Sequence, residues 1–128
     1  MSASDKEMAP RASAEAHRRR EMAYTLFSSW RGNNDHKIAG KPLDLQRAIR
    51  TFVFRLASDA AHRGENSLSY TLDQQNNFYR CFISQTRAQR FGPIGFVSPT
   101  EWRQQIDQLC EEYGWKWVDP VKQEARAA

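Results

Sequence analysis

The sequence predicts an α+β fold in which two N-terminal helices and one C-terminal helix surround a small antiparallel or mixed sheet. Three observations predict this class. Apolar residues recur at helical spacing over residues 45–62. Polar and apolar residues alternate over residues 67–72, and an aromatic-rich run follows after a polar turn, which is typical of a β-hairpin. Helices and strands do not alternate regularly along the chain, which disfavours a wound parallel sheet.

Two helices are predicted before the hairpin. The first spans residues 12–30 and ends where Gly32 opens a Gly-Asn-Asn-Asp stop signal. The second spans residues 45–62, and Asp44 can cap it because its carboxylate accepts the free amides of the first turn. The apolar stripe of this second helix predicts the buried face of the domain, which comprises Leu45, Ile49, Phe52, Val53, Leu56 and Ala60.

The predicted sheet is built on a β-hairpin whose strands are residues 67–72 and 78–84. A short edge strand is expected at residues 94–97, because Pro93 cannot donate to a ladder. A last short strand is expected at residues 115–118.

The C-terminal helix has the clearest boundaries in the sequence. Ser98 is its predicted N-cap, Pro99 takes the first helical position, and Glu101 completes a capping box. Gly114 supplies the stop signal at the other end.

A chain of 128 residues is long enough for one domain. We assign that domain to residues 15–120 and treat residues 1–14 and 121–128 as flexible tails, because these ends have little to bury. No apolar run resembles the core of a signal peptide or a membrane span, which predicts a cytoplasmic protein. Cys81 and Cys110 both fall in apolar patterns, and we expect them to be buried free thiols in a reducing compartment.

The net charge is +4, and the whole excess lies in the first half of the chain. Residues 1–66 carry 12 basic and 8 acidic side chains, whereas residues 67–128 carry 7 of each. This balance permits contact with nucleic acid or with an acidic protein surface but requires neither.

The sequence contains no recognisable motif for a metal, a cofactor or a catalytic nucleophile. Asp59 and His62 are three residues apart on one helix, but two ligands are too few for a metal site. The glycine spacings match no phosphate-binding loop. Cys110 lies near the C-terminal end of a predicted helix, where the helix dipole disfavours a thiolate. We therefore expect a non-catalytic protein without a metal or cofactor.

One pair of residues suggests catalysis. Arg55 and His62 are separated by six residues, and this spacing resembles the Arg-x6-His signature of helical ribonucleases of the HEPN group. The resemblance is carried by these two residues and implies that Arg and His act on an RNA phosphate. Since those domains are all-helical, the predicted β-hairpin argues against this hypothesis, which ranks third.

Phe54 is the apolar residue that the stripe of the second helix does not explain. At ~100° per residue it points ~180° away from Leu45, on the side that carries arginines. Another element of the chain packing on this side is the structural explanation. An outward-facing ring would instead predict a binding surface, whose candidate residues are Arg47, Arg50, Phe54, Arg18 and Arg19.

The leading functional hypothesis is a small binding module, of adaptor or inhibitor type, that docks this surface onto a partner protein. Interface centres favour aromatic residues and arginine over lysine, and residues 1–66 contain nine arginines and three lysines. A homodimer through the second helix is the simplest case. The alternative is a nucleic-acid-binding regulator in which the arginine run 18–20 follows phosphates and Phe54 stacks on a base.

Overall fold

The computed structural model describes the backbone of residues 3–120 and the side chains of residues 13–120. Within this part of the chain every regular element is helical and there is no strand. The predicted α+β class, with its hairpin and sheet, is therefore wrong. In chain order the elements are α1 (Ala3–Ile38), α2 (Leu43–His62), α3 (Leu72–Phe91), a short 3-10 turn (Ile94–Phe96) and α4 (Pro99–Tyr113).

The chain divides into two compact units, and the single domain predicted at residues 15–120 spans parts of both. The N-terminal unit comprises residues 1–70 and contains α1 and α2. The C-terminal unit comprises residues 71–128 and contains α3, the 3-10 turn and α4. The predicted C-terminal tail at 121–128 lies outside the described residues. At the other end, α1 begins at Ala3, within the predicted N-terminal tail.

The N-terminal unit is a helical hairpin, because only residues 39–42 connect α1 to α2. Small side chains lie at its centre: Ala57 and Ala60 of α2 are buried against Leu26 of α1. Phe27 and Leu68 pack around this cluster. Most of the predicted stripe is confirmed, since Leu45, Ile49, Val53 and Ala60 are buried, while Phe52 and Leu56 are half-buried.

The first helix does not stop at Gly32, as the sequence predicted, but continues to Ile38. Glycine inside a helix costs only about 1 kcal/mol relative to alanine, so local stop signals can be overridden. Two local contacts support the continuation: Asn34 Nδ2 donates to the Trp30 carbonyl at 2.8 Å, and Arg31 pairs with Asp35 at 3.0 Å. The extra turns also bury Ile38.

The second helix begins two residues earlier than predicted, at Leu43, and Pro42 occupies the N-cap position. Asp44 is therefore not the cap but an acidic residue of the first turn, where a carboxylate is favourable beside the helix N-terminus. Its Oδ1 accepts a hydrogen bond from the Leu45 amide at 2.9 Å.

The predicted β-hairpin is replaced by α3. Residues 73–77, which the sequence analysis assigned to a turn, form the first turns of this helix. A capping box starts it: the Thr71 hydroxyl accepts from the Gln74 amide at 3.1 Å, and Gln74 Oε1 accepts from the Thr71 amide at 2.8 Å. The buried positions of α3 are spaced as on one helical face, namely Tyr79, Ile83, Thr86 and Arg87.

We expect Thr71→Ala to lower the free energy of unfolding by about 1 kcal/mol, because the mutation leaves the Gln74 amide without its hydroxyl acceptor. Urea unfolding followed by circular dichroism measures the loss. Thr71→Ser keeps the acceptor and should stay close to the wild-type stability. A loss as large in Thr71→Ser would contradict the capping role.

The boundaries predicted for α4 are confirmed. The Ser98 hydroxyl accepts from the Glu101 amide at 3.2 Å, and Pro99 follows it at the first helical position. Gly114 ends the helix in the left-handed conformation, with φ 69° and ψ 33°, which glycine adopts without strain.

The two remaining predicted strands are also wrong. Residues 94–96 form the 3-10 turn, and residues 115–120 are irregular. Side-chain contacts rather than a ladder hold the latter segment. The Trp115 ring stacks on Tyr79 of α3 at 5.2 Å, and Arg80 Nη1 donates to the Val118 carbonyl at 3.0 Å.

Candidate functional site: a groove between α1 and α2

Phe54, the residue outside the predicted stripe, packs against α1. Its ring lies 5.2 Å from the ring of Tyr24 and 5.4 Å from that of Phe27, centroid to centroid. The Phe27 contact is edge to face, an arrangement that adds about 0.5–1.5 kcal/mol beyond burial. Phe54 is half-buried, while Tyr24 remains 59% exposed. The aromatic cluster therefore joins the two helices and still presents part of its surface outward.

The angular position of Phe54 explains this packing. The buried side chains of α2 extend as far around the helix as Ala57 and Ala61, so their centre lies ~80° from Leu45 rather than at it. Phe54, at ~180° from Leu45, is then only ~100° from that centre. Because Ala57 and Ala61 are small, α1 approaches α2 closely on this side. Phe54 consequently lies at the flank of the helix pair and not opposite its core.

A groove of about 290 Å³ runs beside this aromatic cluster. Both helices contribute to it through residues spaced three or four apart, so each helix presents one face. The lining combines small side chains, two aromatic rings and three basic side chains. The lining residues are Ala16, Arg19, Arg20, Ala23, Tyr24, Phe54, Ser58 and His62.

The charge around the groove is basic but not of one sign. Arg19 pairs with Glu15 at 2.6 Å, and His17 lies 2.9 Å from Glu21. Both contacts follow the i, i+4 spacing of an exposed helix face, where the Arg19–Glu15 ion pair is worth only a few tenths of a kcal/mol. Within residues 13–120 no carboxylate lies within ion-pair distance of Arg20, which is exposed at the groove.

The structure brings two of the five predicted binding residues to the groove: Arg19 and Phe54 line it together. Arg18 lies in an adjoining depression, which His62 also lines. Arg47 is exposed on α2, nearer the loop that joins the two helices. Arg50 is half-buried and is engaged by α1, with its Nε 3.4 Å from the Asp35 carboxylate.

Asp35 is held between two arginines, Arg31 and Arg50. Partial burial alone raises the pKa of its carboxyl group, but hydrogen bonds and charges from the two arginines outweigh that effect, and the net pKa is lowered from 3.8. The carboxylate therefore stays ionised at neutral pH. Arg50 is consequently a structural link between the helices, which separates it from the groove residues.

Six residues of the groove were not among the predicted binding residues: Arg20, Tyr24, Ser58, His62 and the two alanines, Ala16 and Ala23. A signal for them is present. Ser58 and His62 follow Phe54 at four and eight residues, and Tyr24 follows Arg20 at four, so each set shares a helix face. What the sequence does not contain is the pairing of these two faces across the helical hairpin.

The Arg55–His62 pair lies on one face of α2, about two turns or ~10 Å apart along the helix axis. His62 lines the groove and its Nδ1 is 3.1 Å from the Ser58 carbonyl, whereas Arg55 is exposed and does not line it. The all-helical fold of residues 3–120 removes the predicted β-hairpin, which was the structural argument against the ribonuclease hypothesis.

The two cysteines differ in exposure. Cys110 is buried on α4, as expected, but Cys81 is exposed on α3, so its predicted burial is wrong. Burial raises the pKa of the Cys110 thiol, and the nearby Asp107 carboxylate raises it further. Cys110 is therefore a poor nucleophile.

We expect one thiol per chain to react rapidly with Ellman's reagent in the native protein and the second only after unfolding. Cys81→Ser should abolish the fast reaction, because Cys81 is the exposed thiol. Cys110→Ser should leave it unchanged. Rapid modification of both thiols in the native state would contradict the burial of Cys110.

Among the described side chains, those of residues 13–120, no three His, Cys, Asp or Glu are grouped as metal ligands. No helix of that same part of the chain has the length and apolar character needed to cross a bilayer. Comparison of the chain with known proteins finds no matching family model, no similar curated protein and no similar solved structure.

Proposed function

We propose that the N-terminal unit is a non-catalytic protein-binding module that docks a partner protein in the groove between α1 and α2. The proposal rests on the kinds of side chain that line the groove. Arg19, Arg20 and His62 lie beside the partly exposed rings of Tyr24 and Phe54. Arginine and aromatic residues of this kind dominate the centres of protein interfaces.

The chemistry of the groove defines the segment that it fits. The Arg20 guanidinium, which pairs with no carboxylate among residues 13–120, suits a carboxylate of a ligand, which it can bind with two parallel hydrogen bonds. The rings of Tyr24 and Phe54 and the small side chains Ala16 and Ala23 suit an apolar residue next to that carboxylate. The expected ligand is therefore an acidic segment of a partner protein that carries an apolar anchor.

A protein fits this surface better than a nucleic acid does. Binding to phosphates depends on a field of one sign along the strand. Here Glu15 and Glu21 lie on the same helix and pair with Arg19 and His17, so basic charge is interrupted within each turn. We place this activity in the cytoplasm, where the free Cys81 and Cys110 would stay reduced.

The test is co-purification with the full chain from its source cells, followed by affinity measurement with the protein recovered. Arg20→Glu should abolish binding without unfolding the chain, because Arg20 is exposed and reversal places a carboxylate against the acidic ligand. The matched control is Arg47→Glu, an exposed arginine outside the groove. Equal loss of affinity in the two variants would show a general charge effect and overturn the proposal.

The same purification distinguishes the protein-binding module from the other functional hypotheses. Recovery of RNA or DNA, with affinity falling steeply between ~50 and ~200 mM salt, would indicate the nucleic-acid-binding regulator instead. RNA cleavage by the wild-type chain, lost in a folded His62→Ala variant, would indicate the ribonuclease. A chain that is a dimer by light scattering and becomes a monomer in Arg20→Glu would identify the ligand as a second copy.

A further inference from the structure

The C-terminal unit presents an uncharged apolar loop between α3 and α4. Phe96 is 90% exposed and Ile94 is 64% exposed, and both lie in the 3-10 turn. The ten residues from Phe91 to Thr100 include no charged side chain. Single exposed apolar residues are ordinary, but two large ones on one turn of an uncharged loop make a local apolar patch that needs an explanation.

The loop is held in place rather than free to fold back over these side chains. At its start Gly92 has φ 87°, a conformation that glycine tolerates, and at its end Ser98 caps α4. The buried Arg87, which is 2% exposed, contacts the start of the loop and α4. Its Nη1 donates to the Gly92 carbonyl at 3.2 Å, and its Nε donates to Gln105 Oε1 at 2.9 Å. Arg87 is thus a positioning residue that ties the loop to both helices.

The charges of the C-terminal unit indicate which class of partner the loop can bind. Two arginines near the ends of the loop are paired with carboxylates, Arg90 with Glu112 and Arg103 with Asp107. Arg87 bonds neutral groups, the Gly92 carbonyl and Gln105, but at 2% exposure it is not accessible from the surface of the loop. Stable binding to a lipid surface needs basic residues or a second anchor in addition to a few apolar side chains. Nucleic acid likewise needs cations at the contact. An uncharged loop whose neighbouring arginines are paired or buried therefore favours a protein surface.

The small size of the loop indicates the shape of the partner's binding surface. A stable symmetric dimer buries roughly 800 Å² on each partner, which is far more than two side chains can cover. A pair of preorganised anchors is instead suited to a concave site, because filling a pocket with an aromatic ring gives much binding energy from a small area.

We propose that Ile94 and Phe96 form a second docking surface, which inserts into an uncharged apolar cleft of a partner protein. It is distinct from the groove of the N-terminal unit, which takes an acidic segment. The two surfaces would let one small chain contact two different sites, on one partner or on two.

The experiment places the photoreactive residue p-benzoylphenylalanine at position 96 of the full chain in its source cells. The control places it at position 72, since Leu72 is 69% exposed in the same unit but outside the loop. Support requires an adduct specific to position 96, with cross-linked partner residues in an uncharged apolar stretch. The purified partner must then bind Phe96→Ser at least ~30-fold more weakly than wild type, and Leu72→Ser within about twofold.

Several results would overturn the proposal. The first is a cross-linking yield at position 96 that does not exceed the yield at position 72. The second is an adduct with another copy of the chain. The third is an unchanged affinity of Phe96→Ser for the recovered partner. Binding to vesicles of phosphatidylcholine and phosphatidylglycerol that Phe96→Ser abolishes would show a lipid surface instead. Phe96 is exposed, so the serine variant is expected to fold, and circular dichroism verifies this.

Discussion

Leu109→Ala is expected to lower the free energy of unfolding by about 3 kcal/mol, within a range of roughly 2–5 kcal/mol. Leu109 is fully buried on α4, as is Ile106 one turn before it, and Ile83 supplies a fully buried side chain from α3. Removing three carbon atoms there loses their transfer free energy and leaves a cavity that close-packed neighbours fill only in part. Urea unfolding monitored by tryptophan fluorescence measures the loss.

The matched control is Gln108→Ala, one residue earlier on α4 and exposed. It should change the free energy of unfolding by less than about 0.5 kcal/mol, because no buried contact is removed. If the two variants are equally stable, Leu109 cannot be part of a packed α3–α4 core.

Ala57→Leu is expected to lower the free energy of unfolding by about 2 kcal/mol, although it adds an apolar side chain to a buried site. Ala57 is completely buried, and together with Ala60 it packs directly against Leu26 of α1. A leucine there forces α1 and α2 apart or takes a strained rotamer. The separation would also disturb the contacts of Phe54 with α1, so binding in the groove should weaken together with stability.

The control for this prediction is Ala14→Leu, an exposed alanine in the interior of α1. Leucine and alanine are both good helix formers, so the change in stability should stay within about 0.5 kcal/mol. A stabilised Ala57→Leu variant would mean that the helical hairpin has room at its centre, contrary to the burial of the two alanines.

The misassignment of α3 shows where sequence periodicity fails. Tyr79 and Ile83 are four residues apart, and this spacing places two side chains on one face in a helix and in a strand alike. The residue that discriminates is Cys81, which shares their face in a strand and faces away from them in a helix. It is exposed in the structure. The sequence also contained an independent signal, the Thr71-x-x-Gln74 capping box, which favours a helix over the predicted turn.

Part of the candidate site, like part of the fold, could be predicted from the sequence. The exceptional position of Phe54 among arginines is visible in the sequence, and in the structure its ring lines the groove between α1 and α2. That Arg20, Tyr24 and His62 line the same groove follows only from the packing of α1 against α2. The ion pair between Arg50 and Asp35 depends on that packing as well. A helix sequence defines which residues share a face, but it does not define which face of a second helix will meet it.

The sequence by itself determined the second and fourth helices, because a long apolar stripe and complete capping signals act within one helix and need no partner. It also determined that the basic charge lies in the first half of the chain. Only the tertiary structure decided that α1 continues through Gly32 to bury Ile38 and that Phe54 faces α1, and only it decided between the helical capping signal and the strand-like alternation at residues 67–84. The physical reason is that each of these outcomes depends on surface buried between elements distant in the chain, and such burial outweighs local preferences of about 1 kcal/mol.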